Sequence, residues 1–442
     1  MKFVKGKEIG RGGFGIVSIA RGDDGNDYAL KELNTAAFGA ADEAMLAKRF
    51  EREVRYQEQI VHPNVVSIVE HNLNDSPPWF AMPLAIGNLA DEIQHDRTLG
   101  GEPQAPLFDI LAGLEALHAQ GFYHRDLKPA NVLKFQTEDG GFVYRISDFG
   151  LTTPGAGQTT TLTGSNMAGG TVMYRAPECA NNFRRAMAQA DIYSFGAILH
   201  DIFGGGMARI PHSKLTVAGA LAPIVEKCSE GNPRRRYRSV ANLREDLFEV
   251  LSNTEVEFYS QEEKEIISIL RDADTLTDAQ WDRVFNLIDD NADKGISNSN
   301  IIRALSRDHI IALSSDAPDM FHALGAIYAE FAQGSAFDFD YCDIISDKAQ
   351  IFYDAGDLQL KAQIALAMLK LGTTHNRWRV EWQFMRMAGE QIDDVLAERI
   401  KIEAKVQGVP FADRIDHIEH SIPAKRGSLH PILRAYLEEL GE

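Results

Sequence analysis

The 442-residue chain predicts an α+β protein in which a small, mostly β unit leads into a helical region and a separate all-helical segment follows. Three observations carry that prediction. Short strand-like runs separated by glycine-rich turns occupy residues 1 to about 83. The pattern becomes mainly helical from about Ala105, and a string of amphipathic segments fills residues 262–442.

Val4 to Ile9, Val17 to Ala20 and Asp27 to Glu32 read as strands with glycine-rich turns between them. A helix rich in Glu, Arg and Ala follows from about Asp42 to Ile60. His62-Pro63-Asn64 breaks it, and Val65 to Val69 reads as another strand. A loop-rich stretch from His124 to Glu178 interrupts the later helices, with a Thr/Gly/Ser-rich run at 155–170; a loop that long in a compact domain is functional or mobile. The character changes again near Leu251 to Gln261, dividing the chain into 1–252, a linker 253–261 and a helical domain 262–442. In the last of these, Thr277-Asp278-Ala279-Gln280 has capping-box spacing ahead of Trp281, Val284, Phe285 and Ile288. Gly372 is expected to stop the helix containing Leu366 and Leu369, and Pro410 and Pro423 to mark later breaks. Helices of this length with short links suggest a bundle or an α-solenoid, and no clean repeat period separates the two.

Composition narrows the function classes. Hydrophobic residues at 44% and charged residues at 25% fit a folded protein with a sizeable core. A formal net charge of -19 argues against nucleic acid as a partner and against adsorption on an anionic membrane. Cys179, Cys228 and Cys342 are far apart, without a CxxC pair or metal-type spacing, so neither disulfides nor a zinc site is expected. The N-terminus has no apolar signal core and no run approaches the roughly 20 apolar residues of a membrane helix, which leads to a cytoplasmic expectation with no membrane partner.

Gly10-Arg11-Gly12-Gly13-Phe14-Gly15-Ile16-Val17 lies between two strands. Glycines let a backbone approach a polyphosphate closely and aim N–H groups at it; the same pattern also describes a plain glycine-rich hairpin. A dinucleotide site would need a helix directly after the glycines, whereas Val17-Ser18-Ile19-Ala20 continues as strand. Tyr28-Ala29-Leu30-Lys31 is a short strand ending in a lone lysine, and Glu53 on the following helix suits it as a partner. An ammonium held by a carboxylate can bind the α- and β-phosphates of a nucleotide, although either residue alone would be an ordinary surface charge.

His124-Arg125-Asp126-Leu127-Lys128-Pro129-Ala130-Asn131 resembles the catalytic loop of eukaryotic-type (Hanks-type) Ser/Thr protein kinases, and Asp148-Phe149-Gly150 and Ala176-Pro177-Glu178 follow in the family's order. The resemblance spans residues 1–252 and implies the bilobal kinase fold, with an N-lobe at 1–82, a hinge at 83–88 and a C-lobe at 89–252. It also implies ATP and Mg²⁺. Carried over residue by residue, Asp126 would orient the substrate hydroxyl and accept its proton, Lys128 would steady the γ-phosphate, and Lys31 with Glu53 would hold the other phosphates. Asn131 and Asp148 supply hard oxygen ligands suited to Mg²⁺. Gly10, Gly12, Gly13, Phe14 and Gly15 would cover the phosphates. Val17, Ala29 and Leu133 would wall the adenine, Met82 would guard the back of that pocket, and Pro83 and Ala85 would offer a carbonyl and an N–H at the hinge.

Further parts follow from the same resemblance. Asp191-Ile192-Tyr193-Ser194-Phe195-Gly196 is similar to the helix beneath the catalytic loop, and Arg236 would pair with Glu178. Lys128 and Gly170-Thr171 point to Ser/Thr specificity, and the Ala176 to Glu178 stretch favours a protein substrate over a small molecule. Thr159, Thr160, Thr161, Thr163 and Ser165 lie where autophosphorylation would pair a loop with Arg125; a flexible polar loop is the other reading. Three features depart from the family pattern. Gln57 stands where an apolar spine residue is usual, the acidic ribose contact is missing so that Asn88 or Asp91 would serve, and the segment from His200 to Val225 is short for substrate-side helices. The alternatives are a pseudokinase scaffold that binds partners through its helical domain, and a toxin-like or defence kinase with a single target. In the helical domain, residues 289–296 read either as a calcium loop, with Asn300 where a bidentate Glu belongs, or as a helix-ending polar turn. Arg377, Trp378 and Trp382 read as core or as a partner-binding face for a regulatory protein.

Overall fold

Strand pairing in the first half of the chain sets the architecture around the site. The computed structural model describes residues 1–11, 15–34, 40–137, 140–148, 171–181, 187–252, 257–273, 275–334 and 337–441. The chain divides into two compact units, Met1–Ser252 and Asn253–Glu442.

The first unit opens on an antiparallel sheet in the order β1-β2-β3-β5-β4, built from β1 (Phe3–Arg11), β2 (Gly15–Gly22), β3 (Asp27–Leu33), β4 (Glu70–Asn72) and β5 (Trp79–Pro83). Period-two alternation turns one face toward the helix α1 (Ala40–Gln57): Ala29, Leu33, Phe80 and Met82 pack with Leu46, Phe50 and Val54. The other face carries Ala20, Leu30 and Ala81 under Phe3 and Trp79.

Residues 65–69 do not form the expected strand. Val66 donates to the carbonyl of Ile146 at 3.0 Å, whereas Val69 donates to Ala81 at 2.8 Å, so this apolar run bonds to two different partners and the ladder beside β5 begins only at Glu70. Val65 and Val66 are buried, and for these two burial rather than sheet pairing explains the apolar side chain, whereas Val69 is exposed. The stretch expected to be loop-rich also holds a hairpin, β7 (Val132–Gln136) and β8 (Phe142–Ile146), which with β6 (Gly87–Asn88) makes a second sheet of three strands.

Below this hairpin the unit is helical: α2 (Leu89–His95), α3 (Gln104–Ala119), α4 (Pro177–Asn181), α5 (Ala188–Phe203), α6 (Ala222–Cys228) and α7 (Val240–Leu251). The core lies between α3, α5 and α7, where Leu107, Ile110, Leu111 and Leu114 meet Ile192, Phe195, Ile198, Leu243 and Leu247. α5 is buried from Ala190 through His200, so nothing at the centre of this unit can shift without disturbing it.

The second unit contains α8 (Gln261–Asp272), α9 (Asp278–Asp293), α10 (Ser299–Ala304), α11 (Arg307–Asp316), α12 (Pro318–Ala332), α13 (Phe339–Ala355), α14 (Leu358–His375), α15 (Trp378–Met387), α16 (Asp394–Val406), α17 (Phe411–Ser421) and α18 (Pro431–Gly441). α12, α13, α15, α16 and α17 all pack on α14, a bundle arrangement with one central helix. The capping box forms, with the Gln280 side chain accepting from the Thr277 N–H at 2.8 Å.

Gly372 does not stop its helix. α14 runs on to His375 and ends at Asn376 in the left-handed region, φ 49. Gly372 is needed for close approach: a Cβ there would stand 2.9 Å from Glu381 Cγ and 3.0 Å from the Glu381 backbone N. The calcium-loop reading also fails, because Asp289 to Asp293 are the last residues of α9 and the chain leaves the helix at Lys294, with Gly295 at φ 67. Arg377 is buried and grips Asp343 bidentately at 2.7 and 2.6 Å, so that side chain is structural. No described helix is long and apolar enough to cross a membrane.

Candidate active site

The loop of residues 124–131 hangs from one carboxylate. Asp191, in the first turn of α5 and 0% exposed, accepts the backbone N–H groups of His124 at 2.9 Å and Arg125 at 2.7 Å. His118 of α3 lies 2.8 Å from its Oδ2. Burial alone would push this carboxyl up, but the His118 hydrogen bond, the His118 and His124 side chains and the Arg125 N–H outweigh it and hold Asp191 below the usual carboxylate range. The acceptor is therefore an anion, and it secures Arg125 in the left-handed region at φ 64. Burial lowers the pKa of His124 in the same place.

From that anchor the loop presents Asp126. Lys128 Nζ lies 3.0 Å from Asp126 Oδ2, and Asn131 Nδ2 donates to the Asp126 carbonyl at 2.9 Å and to Oδ2 at 3.3 Å. With its amide nitrogen spent on Asp126, Asn131 presents its amide oxygen as an acceptor. The Asn131 carbonyl in turn accepts the Ser147 N–H at 2.8 Å and the Ser147 hydroxyl at 3.0 Å, which ties the loop to the end of β8. The next residue, Asp148, sits at φ 57.

Asp148 closes the site from the other side. Lys31 on β3 reaches Glu53 of α1 at 2.9 Å and Asp148 at 2.5 Å. Burial would strip the lysine of its proton, but the two carboxylates reverse that and raise its pKa. Burial raises Glu53 against the opposing pull of Lys31. For Asp148 the same burial is overcome by Lys31, which holds the carboxyl below its ordinary range. Lys31 and Asp148 thus stand as an ion pair with Glu53 as second partner. Gly15 lies directly over this lysine, where a Cβ would be 3.3 Å from Lys31 Cε. Gly10 pairs with Val17 across β1 and β2. Gly12, Gly13, Phe14, Phe149 and Gly150, and the Thr159 to Ser165 acceptors, lie outside the described residues.

The apolar residues assigned to an adenine pocket come together. Val17, Ala29, Met82, Leu84, Ala85 and Leu133 share one cluster, with Ala29 opposite Met82 in the strand register. Pro83 is the last residue of β5, paired with Tyr28, and the Ile86 N–H bonds to the Lys134 carbonyl at 2.9 Å. Gln57 is 1% exposed and donates to the Val66 carbonyl at 2.8 Å, so it fastens the 65–69 run in place of an apolar contact. Asn88 caps α2 by accepting the Asp91 N–H at 3.1 Å and donates to Asp91 Oδ2 at 2.7 Å. Glu178 and Arg236 form a bidentate pair at 2.7 and 2.8 Å.

His118 and Ser147 were not found by sequence reasoning. Neither carries a spacing signal: His118 is near the end of α3 and Ser147 directly follows β8, and only tertiary packing brings them to Asp191 and to the Asn131 carbonyl.

The donor types fit a divalent cation: Asp148 offers a carboxylate and Asn131 an amide oxygen, both hard ligands, and the cationic Lys31 pairs with Asp148. Residues 3–264 match the family described as "Protein kinase domain", and the chain belongs to that family. Similar proteins include "Serine/threonine-protein kinase AfsK" of Streptomyces coelicolor, 32% identical over 195 residues, which cover 43% of this chain and 23% of that protein. "Probable serine/threonine-protein kinase PknB" of Lactococcus lactis is 29% identical over 265 residues, 54% of this chain and 40% of that protein. "Serine/threonine-protein kinase PknB" of Mycobacterium leprae is 28% identical over 301 residues, 62% of this chain and 45% of that protein. The chain thus spans less than half the length of each of these relatives.

Proposed function

We propose that the chain is an ATP-dependent Ser/Thr protein kinase that also phosphorylates itself. The observation that carries this reading is the convergence of two groups from distant parts of the sequence, Lys31–Glu53–Asp148 and Asp126–Lys128–Asn131. Phosphoryl transfer asks for alignment and charge neutralisation more than for covalent help. Asp126 orients the acceptor hydroxyl and takes its proton as the oxygen bonds to the γ-phosphorus and the bond to the ADP oxygen breaks. Lys128, beside that carboxylate, steadies the transferring group, and Lys31 holds the phosphates that stay with ADP. Asn131 and Asp148 would hold Mg²⁺, which supplies charge neutralisation at the phosphate oxygens. The relatives' printed Ser/Thr specificity supports a Ser/Thr acceptor.

A scaffold without turnover is the other reading; it rests on Gln57 at a spine position, and the family match and Ser/Thr kinase relatives do not favour it. Incubation of the purified chain with γ-labelled ATP, Mg²⁺ and a generic basic protein, beside Asp126→Ala, separates the two. Label that vanishes in the variant supports the kinase. An intact, ATP-binding wild type that transfers nothing would move the assignment to the scaffold.

A further inference from the structure

Lys31 draws its two carboxylates from elements far apart in the chain, Glu53 from α1 and Asp148 from just beyond β8. The three side chains meet only if α1 keeps a fixed distance from the end of β8. Residues 64–66, between these elements, are laced to β8. The Ile146 N–H donates to the Asn64 carbonyl at 2.9 Å, and the Val66 N–H donates to the Ile146 carbonyl at 3.0 Å. The Asn64 side chain donates to the Tyr144 carbonyl at 3.0 Å. Behind them α3 packs so closely that a Cβ on Gly113 would stand 2.7 Å from the Asn64 carbonyl oxygen. This short run therefore moves with β8 and α3 as one piece.

Gln57 attaches α1 to that piece. It lies one turn after Glu53 on the same side of the helix, and its Nε2 donates to the Val66 carbonyl at 2.8 Å. The connection thus runs from α1 to Val66 and from Val66 to Ile146, two residues before Asp148. Tyr56, the neighbouring residue, lies against Phe122 with ring centroids 5.1 Å apart, a non-directional contact that fixes no register. The amide bond is directional and does. Gln57 is 1% exposed, and its Oε1 has no partner. A buried amide oxygen left unpaired destabilises the fold, and an apolar side chain of similar size would avoid that penalty. The amide at this position is explained by the bond it makes and not by stability.

We propose that Gln57 is a positioning residue for the nucleotide: its bond to Val66 sets α1 against β8 and so holds Glu53 and Asp148 at the spacing at which both reach Lys31. Its own amide is buried, so it acts through Glu53. This rests on the kinase reading above, but it is read from nucleotide binding and does not require turnover.

The test measures the dissociation constant of ATP with Mg²⁺ on the full chain by titration calorimetry. The proteins are wild type, Gln57→Leu, Gln57→Met, Glu53→Ala, and Gln57→Met combined with Glu53→Ala. Leucine and methionine keep most of the bulk and lose the donor. Each should weaken ATP about 3- to 10-fold, the worth of one positioning hydrogen bond, while the urea midpoint stays close to that of wild type. In the Glu53→Ala background, Gln57→Met should add less than about twofold, because the group it positions is already gone. A purely structural role would give effects that multiply in full. The proposal is overturned by unchanged ATP affinity in Gln57→Met, by full multiplication in the double variant, or by weakened binding that a matching fall in stability accounts for. Absence of Asp126-dependent transfer in a wild type that binds ATP would remove the kinase reading and leave the positioning role to these binding data. A wild type that binds no ATP would remove both.

Discussion

Arg236→Met is the perturbation whose cost the structure defines most fully. The guanidinium is 0% exposed and makes four hydrogen bonds: to both Glu178 carboxylate oxygens at 2.7 and 2.8 Å, to the Gln189 carbonyl at 2.7 Å, and to the Glu230 carbonyl at 2.8 Å. It also lies 5.1 Å from the Tyr193 ring centroid. Methionine fills much of the volume but leaves Glu178, 12% exposed, as a nearly buried carboxylate without its counter-charge. Breaking one side of such a pair costs about 3–5 kcal/mol, mostly as desolvation that is no longer compensated. For a domain of this size each kcal/mol moves the melting temperature by about 2–4 °C, so the loss should be about 10 °C. Calorimetry on the full chain reads it, with the kinase-unit transition identified as the one that rises when ATP and Mg²⁺ are added. Removing both charges, as in Glu178→Met with Arg236→Met, should recover more than half of the loss, because no lone charge is left. A single-variant loss under about 3 °C, or a double variant as poor as the summed singles, would refute the reasoning.

Three further outcomes follow from buried groups. In Gln57→Leu the Val66 carbonyl loses its donor, but Gln57 Oε1, which has no partner, disappears as well. The two effects oppose each other at about 1–3 kcal/mol each, so urea unfolding should move by less than about 1 kcal/mol, whereas Gln57→Ala should cost clearly more; equal losses would contradict this account. Glu381 is fully buried, and burial lifts its carboxyl from 4.5 to about 7, with the Ser421 side chain opposing and His417 Nε2 3.2 Å away. A carboxyl with its folded pKa above its unfolded one favours the folded state most when protonated. Its contribution is therefore full below about pH 4.5 and is lost as pH rises through about 7, at most about 3 kcal/mol. Glu381→Gln should flatten that slope in denaturation at pH 5 and pH 8, and parallel curves for the two proteins would exclude it. Gly372→Ala gains about 1 kcal/mol of helix propensity but crowds Glu381, so a net loss of about 1–2 kcal/mol is expected, and a stabilised variant would show that α15 moves freely.

The proposed chemistry was legible in the sequence because phosphoryl transfer demands particular residue types at short spacings. Asp126, Lys128 and Asn131 lie on one loop, so local chain geometry already brings them together. The strands β1 to β3 were legible for a similar reason, since period-two patterning and glycine turns are local signals. Lys31, Glu53 and Asp148 could be named from a resemblance, but their meeting at 2.9 and 2.5 Å depends on α1 and β8 closing on β3. Where local pattern and packing disagreed, packing won. Gly372 is a helix breaker by propensity and a helix interior in fact, because the gain from bringing α15 against α14 exceeds the propensity cost of a glycine. Val65 to Val69 has the composition of a strand, yet its backbone is shared between Ile146 and Ala81. Residue identity by itself determined the family resemblance and the reaction proposed for the chain. Only the tertiary structure decided which anion hangs the 124–131 loop, which histidine lies beside that anion, and which helix stands at the centre of the second unit, because those contacts join residues far apart in sequence whose types carry no mark of their partners.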